Sequence, residues 1–567
     1  MPFNHRAILA LGLLLLLPAA AVAGPIATPS PGTLFGTYLS GIVAGAIGDT
    51  DIASDRLLDV LNADPGASGV RAQAFVFSAL AGNPQAAALA AKVTGNPLSP
   101  LVLGNAAARA GDWAAARHQY QEIAGSPLNA LLRPLLVAWA EQGAGDTDGA
   151  LATLAPLAGD SPVAGLYAAS AAMIADQAER VDQAGRLYQR AQTFAPGSDL
   201  IFVQSYASFL YRAGQPAQAK ALVQALVQAL PALSIAEPGL ASALRKIPVA
   251  TPLEGLARAY FDVASLIQQQ GSRGRDAELF MLRFALDLAP DLTPARLLLA
   301  DLQNQGGAPR EALATLRQVP KDDPLYPVAA LRVAVIGGAG GETAAAQATL
   351  EGLAARYPTR AEPLQALGNL LQDHGHDADA IKAYDRAIRL MSPLDAQDWQ
   401  VLFARATAYD RLRQWPKAQS DLQHALQLDP NEPFLLNYLG YSWLERKEDL
   451  GRARTMIERA LDEKPDDGSI RDSLGWAMYR QDDITGAVRE LEHAAEQMPE
   501  DPTVNYHLGA AYWAAGRKIE ARDQWRWALQ LHPGKQDAAR IATALRTSML
   551  PGGDPVRAAD KLPLPAP

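Results

Sequence analysis

From Pro433 to Pro533 the chain reads PFLLNYLGYSWLERKEDLGRARTMIERALDEK, then PDDGSIRDSLGWAMYRQDDITGAVRELEHAAEQM, then PEDPTVNYHLGAAYWAAGRKIEARDQWRWALQLHP, and the three lines carry the same marks at the same places. Gly440, Gly475 and Gly509 each follow a leucine and stand 35 and 34 residues apart. Ala460, Ala494 and Ala528 keep a step of 34, as do Pro465, Pro499 and Pro533. A period in the mid-thirties, with two helix-length segments in each period, marks an array of stacked helical hairpins and not a closed globule. Each hairpin needs a small residue where its two helices cross closely and a bulky one a turn away to fill the space between units. In the last line Leu508-Gly509 is followed by Tyr512-Trp513, and Ala521, Trp525 and Ala528 recur at helical spacing. Gly516 suits the turn between them, and Pro533 ends the second helix.

These residues resemble the tetratricopeptide repeat, whose pattern runs W-x2-L-G-x2-Y, then A-x3-F, then P. Leu508, Gly509 and Tyr512 match its first part, Ala521 and Trp525 the second, and Pro533 the last, with Asn505 in place of the first aromatic. The resemblance extends backwards with fading quality. It runs through Ala487, Leu491 and Ala494 behind Gly475, through Tyr409, Ala418, Leu422, Ala425 and Pro430 behind Ala406, and through Ala380, Tyr384 and Ala387 behind Gly368. Earlier units are traced by Tyr188, Ala191 and Pro196, by Ala116 and Tyr120, and by Gly41, Gly48, Ala53 and Pro65. The resemblance implies an all-α fold, an α-solenoid in which stacked hairpins form a right-handed superhelix of roughly fourteen units.

The regular spacing divides this array into blocks over residues 33–231 and 253–545. Between them, at 232–252, Pro238, Gly239, Pro248 and Pro252 crowd together and read as an irregular joint. Gly337 to Gly341 reads as an expanded turn between helices, and Gln536 to Leu545 as a final capping helix. Residues 546–567, with five prolines from Pro551 onward, read as a disordered tail.

The start of the chain has a different character. His5 and Arg6 precede an apolar run from Ile8 to Leu17, and Ala21-Val22-Ala23 stands before Gly24. These are the three parts of a secretory signal peptide over residues 1–23, followed by an extended leader at 24–32. Pro18 and the small residues behind it favour cleavage over a retained anchor, and the run is short for a membrane span. The mature chain is therefore expected to be exported, periplasmic and soluble. With no cysteine in 567 residues there is no disulfide, thiolate metal site, thiol nucleophile or lipid-bearing cysteine. A long stacked array buries a continuous core and does without such staples.

Net charge is −10, from 60 acidic and 50 basic residues, with no long basic run. Binding to nucleic acid or to an anionic bilayer through charge is disfavoured. The tightest histidine cluster, Asp373-His374-Gly375-His376-Asp377, has its glycine where the turn between two helices belongs, so it reads as a turn and not as a metal site. Asp466-Asp467 and Asp482-Asp483 fall in turns, where aspartate caps helices. His507 reads as a surface or groove residue. No nucleophile elbow, zinc-helix motif or phosphate loop is present. A non-enzyme without a cofactor is expected.

In the family that this chain resembles, the first helix of each unit lines the concave face. Carried onto the best units, that face takes Phe403, Thr407, Asp410 and Arg411, then Asn437, Tyr441, Leu444 and Glu445. It continues with Asp472, Trp476, Tyr479 and Arg480, and ends with Tyr506, Ala510, Trp513 and Ala514. Phe403, Tyr441, Trp476, Tyr479, Tyr506 and Trp513 would form an aromatic stripe with Asn437, Asp472, Arg480 and Glu445 at its rim. Exposure is favoured for Trp476 and Tyr506, while Tyr479 and Trp513 could equally pack between units. A wet aromatic side chain of ~150–250 Å² forgoes a few kcal/mol at ~25 cal/mol per Å², so such a stripe reads as an interaction surface. Trp443, Trp525 and Trp527 fit the core or the outer face. Family members that grip a chain-terminal carboxylate use lysines and asparagines here. This chain has only Asn437 and Asn369 in such places, so an apolar or aromatic segment is the better partner.

The resemblance thus implies a non-catalytic scaffold that holds another protein or an extended peptide in its groove. Some family members serve outer-envelope assembly or exopolysaccharide export. A glycan-acting envelope enzyme and a purely structural spacer are the alternatives.

Overall fold

The computed structural model describes residues 33–46, 48–159, 163–194, 199–268 and 274–547. The expected signal peptide, the leader and residues 548–567 of the expected tail lie outside the described residues. Among the described residues there are thirty α-helices and no strand, joined in antiparallel hairpins as an α-solenoid. The chain divides into two compact units between Thr349 and Leu350.

The second unit shows why the repeated residues recur. The helices Pro433–Arg446, Gly468–Arg480 and Pro502–Ala514 each pair with a following helix, Leu450–Glu463, Ile484–Gln497 and Lys518–Gln530 respectively. At the crossings a Cβ on Gly440 would lie 2.8 Å from the Ala453 carbonyl oxygen, and one on Gly475 would lie 2.6 Å from Leu491 Cγ. Nothing larger than hydrogen fits, and Ala460, Ala494 and Ala528 are buried completely for the same reason. Asp449, Asp467, Asp483 and Asp501 cap the helices that follow them by accepting bonds from backbone N–H groups of the first turn. Gly516, at φ +82°, makes the last tight turn. The final helix, Lys535–Thr547, follows after only four residues.

In the first unit the chain packs back on itself. The helix Pro252–Gln268 lies against the helices Pro127–Gly143 and Ala164–Gln177, and its hairpin partner Arg275–Leu288 lies against Ser68–Ala81 and Ser99–Arg109. Gly255 sits on the face of the fully buried Trp139. Tyr260 and Tyr120 both donate to Asn105 Oδ1 at 2.9 Å. Arg258, 1% exposed, bonds Asp262 at 2.6 Å and Asp199 at 2.9 Å. Arg109 pairs with Asp287.

Residues 231–245, where the regular spacing lapses, form two short 3-10 turns around the helix Glu237–Ser242. The glycine run differs from expectation. The helix Tyr326–Ala339 continues through Gly337 and Gly338, and only Gly341, at φ +93°, turns. Consecutive glycines weaken a helix but do not end it when packing holds them, and both are buried here.

Candidate protein-binding wall

In the second unit the first helix of each hairpin touches the first helix of the next, from Pro433–Arg446 to Gly468–Arg480 to Pro502–Ala514. This row of inner helices carries most of the expected groove residues. The inner helices differ from ordinary amphipathic ones. Asp472 to Tyr479 are buried without a break, as are Val504 to Tyr512. In Trp399–Arg411, by contrast, only Val401, Leu402, Ala406 and Ala408 are buried.

The wet aromatic stripe expected from the sequence is therefore corrected. Trp476 is 2% exposed, Tyr479 3%, Tyr441 4% and Tyr506 4%. Trp476 is stacked between Tyr479, with centroids 4.8 Å apart, and His507, at 4.1 Å. Its indole N–H donates to Glu445 Oε1 at 2.9 Å, and Arg480 pairs with the same oxygen at 3.0 Å. Asp472, Arg480 and Glu445 are thus not a solvated rim. They are buried partners of the aromatic rings, because a carboxylate under cover needs a donor on each side.

His507, expected at the surface or in the groove, is fully buried and is the residue that sequence reasoning placed least well. Its Nδ1 lies 2.9 and 3.0 Å from the two oxygens of Asp472. A signal existed in the register: Asp472 and His507 are 35 residues apart, one repeat, so they fall at equivalent levels of neighbouring inner helices.

Two aromatic members of the set are more accessible. Phe403 is half-buried, edge-on to Tyr438 at 5.1 Å and to Trp399 at 6.1 Å. Trp513 is half-buried beside Trp525, with the Lys518 ammonium 5.3 Å from its ring centroid. Asn437 is half-buried and its Oδ1 has no hydrogen-bond partner. Burial raises the Tyr441 hydroxyl well above the usual tyrosine range, Glu445 and Asp472 add to the rise, and Arg540 and Arg480 offset part of it. Tyr441 therefore stands among two acids and two arginines.

Elsewhere, Trp443 and Trp525 are buried, while Trp527 lies 44% exposed and donates to the Pro499 carbonyl at 2.9 Å. His374 and His376 flank the Gly375 turn, and His374 Nδ1 bonds the Leu370 carbonyl at 2.8 Å. Among the described residues no group of three or more His, Asp or Glu side chains is placed to hold a metal ion. No helix among them is long and apolar enough to cross a membrane.

The family model described as tetratricopeptide repeat matches residues 403–469 and 473–535. The chain is similar to a TPR repeat-containing protein of Pseudomonas aeruginosa, with 32% identity over 93 residues, which is 16% of each chain. It is also similar to bacteriophage adsorption protein A of Escherichia coli, with 38% identity over 81 residues, 14% of this chain and 8% of that protein. The matches thus span a small part of either relative. Among solved structures it is similar to the APC/C hetero-tetramer Cut9-Hcn1, with 15% identity, coverage of 91% of this chain and 97% of that one, and a TM-score of 0.39. Another is YrrB, described as a TPR protein with an unusual peptide-binding site, with 18% identity, coverage of 34% and 97%, and a TM-score of 0.27.

Proposed function

We propose, from the premise that this chain is a tetratricopeptide-repeat protein, that it is an exported, non-catalytic scaffold. In this reading it binds another envelope protein, or a segment of one, along the inner helices of its second unit. Repeats of this family bind proteins or peptides as scaffolds, which supports a function in recognition. One observation carries the choice of wall. Glu445, Asp472, Arg480 and His507 lie together among stacked aromatic rings on consecutive inner helices, where packing alone would call for apolar side chains. Apolar packing of the same volume is often at least as stable, so the presence of this network supports a role in specificity. The half-buried Phe403, Asn437 and Trp513 form the accessible contact edge, and Tyr441, Asp472, Trp476, Tyr479, Arg480 and Tyr506 stand buried behind it. Outer-envelope assembly or exopolysaccharide export is the setting that export and family together favour.

The test is capture. The purified chain, immobilised and incubated with an envelope fraction, should retain a defined set of proteins. The Phe403→Ala, Trp513→Ala variant should lose that set at unchanged far-UV helicity. An identical set retained by the variant would remove this wall from the account.

A further inference from the structure

We propose that the inner wall of the second unit is shaped for an amphipathic helix bearing an arginine, and that the chain's own last helix, Lys535–Thr547, holds this place until a partner helix of the same kind takes it. The inference rests on the protein-binding reading above and specifies the class of partner.

Three observations converge on it. First, the inner helices Gly468–Arg480 and Pro502–Ala514 are buried through unbroken runs of eight and nine residues. An inner helix open to water leaves a stripe exposed, so this wall is covered. Second, Ile541 is 1% exposed and Ala544 7%, and both belong to the same apolar cluster as Tyr441, Trp476, Tyr479 and Tyr506, with Leu545 packed at its edge. Ile541, Ala544 and Leu545 fall on one face at spacings of three and four, as a docked amphipathic helix requires. Third, Arg540, with its side chain only 10% exposed, brings its charge to bear on Tyr441, which lies on an inner helix three hairpins earlier. On its own helix it lies 3.9 Å from Asp537, and with Arg480, which bonds Glu445 at 3.0 Å, it is one of two arginines that oppose the effect of Glu445 and Asp472 on the Tyr441 hydroxyl.

The tether explains how such an occupant can be replaced. Only Leu531 to Gly534 separate the last helix from Lys518–Gln530. A short link gives an effective concentration on the order of millimolar. A partner helix present at micromolar concentration must therefore bind about a thousandfold more tightly than the tethered helix would bind if cut free.

The experiment uses the full chain and a fluorescein-labelled synthetic peptide of residues 535–547. The Ile541→Glu, Ala544→Glu variant, whose own helix no longer docks, should bind the peptide with micromolar affinity at native helicity, whereas the unaltered chain should not. Replacing the arginine of the peptide by glutamate, Arg540→Glu, should weaken binding at least tenfold. A variant of native helicity that ignores the peptide overturns the proposal, as does an unaltered chain that binds it equally well. Failure here, with partner capture still sensitive to Phe403 and Trp513, would sink only the helix assignment. Peptide binding with capture insensitive to those residues would sink only the capture reading.

Discussion

Asp472 on one inner helix holds His507 on the next through both carboxylate oxygens, at 2.9 and 3.0 Å from Nδ1, while Trp476 lies parallel to the imidazole 4.1 Å away. A buried acid and a buried histidine each need the other. Asp472→Leu should therefore cost about 1–3 kcal/mol, because it leaves His507 without its acceptor, and His507→Phe should cost a similar amount by stranding the carboxylate. The double variant should be milder than the sum of the two. Urea midpoints of the four proteins check this, and strictly additive losses would mean that the pair is not coupled.

Gly440→Ala should destabilise by about 1–3 kcal/mol. Its Cβ would lie 2.8 Å from the Ala453 carbonyl oxygen, and backbone cannot rotate aside as a side chain does. Gly451→Ala, on the next helix with nothing within 4 Å of its added Cβ, should be neutral or slightly stabilising. Thermal unfolding of the two variants makes the comparison.

Asp262 gives the first unit a dependence on pH. Burial pushes its carboxyl up to about 7, although Arg258 pulls it down, and its Oδ2 has no hydrogen-bond partner. This folded-state value lies above the ordinary 3.8, so the folded chain holds the extra proton. The stabilisation is complete below about pH 4 and disappears as pH rises through 7. Asp262→Asn should flatten that window in denaturation curves taken from pH 5 to 8. Arg258→Ala, which strands Asp199 and Asp262 together, should cost about 3–5 kcal/mol at neutral pH.

Asn105→Ala should cost more than Tyr260→Phe. The asparagine oxygen accepts from both Tyr120 and Tyr260, and all three residues are buried. The tyrosine variant loses one bond, about 1 kcal/mol, whereas the asparagine variant leaves two buried hydroxyls unpaired at about 1–3 kcal/mol each. Hydrogen exchange in the helices 99–109 and 252–268 locates the effect.

The hairpins were legible because their requirements are local. The glycines Gly440, Gly475 and Gly509 at the crossings, the alanines Ala460, Ala494 and Ala528 on the second helices and the capping aspartates Asp467 and Asp501 act within one repeat, so they recur at its period and can be counted. The wall was legible only in part. Tyr441, Trp476 and Tyr506 were placed on the correct helices, since helical periodicity assigns a face. Their exposure was not, because a residue on a known face is wet or dry according to what lies opposite. For Trp476 the neighbours are Glu445 and His507, each 31 residues away in the chain.

By itself the sequence determined that this chain is built of stacked helical hairpins, and it assigned most residues to a helix and a face. Helix propensity, turn chemistry and close crossings are interactions within one or two repeats, and they leave their mark at a fixed spacing. Only the tertiary structure decided that the helix Pro252–Gln268 packs against Pro127–Gly143, that His507 is paired with Asp472, and that the inner aromatic rings are dry. Those outcomes depend on which surfaces meet after the chain has curved back. A polar group such as Arg258 or His507 looks the same in the sequence whether water or a buried carboxylate receives it.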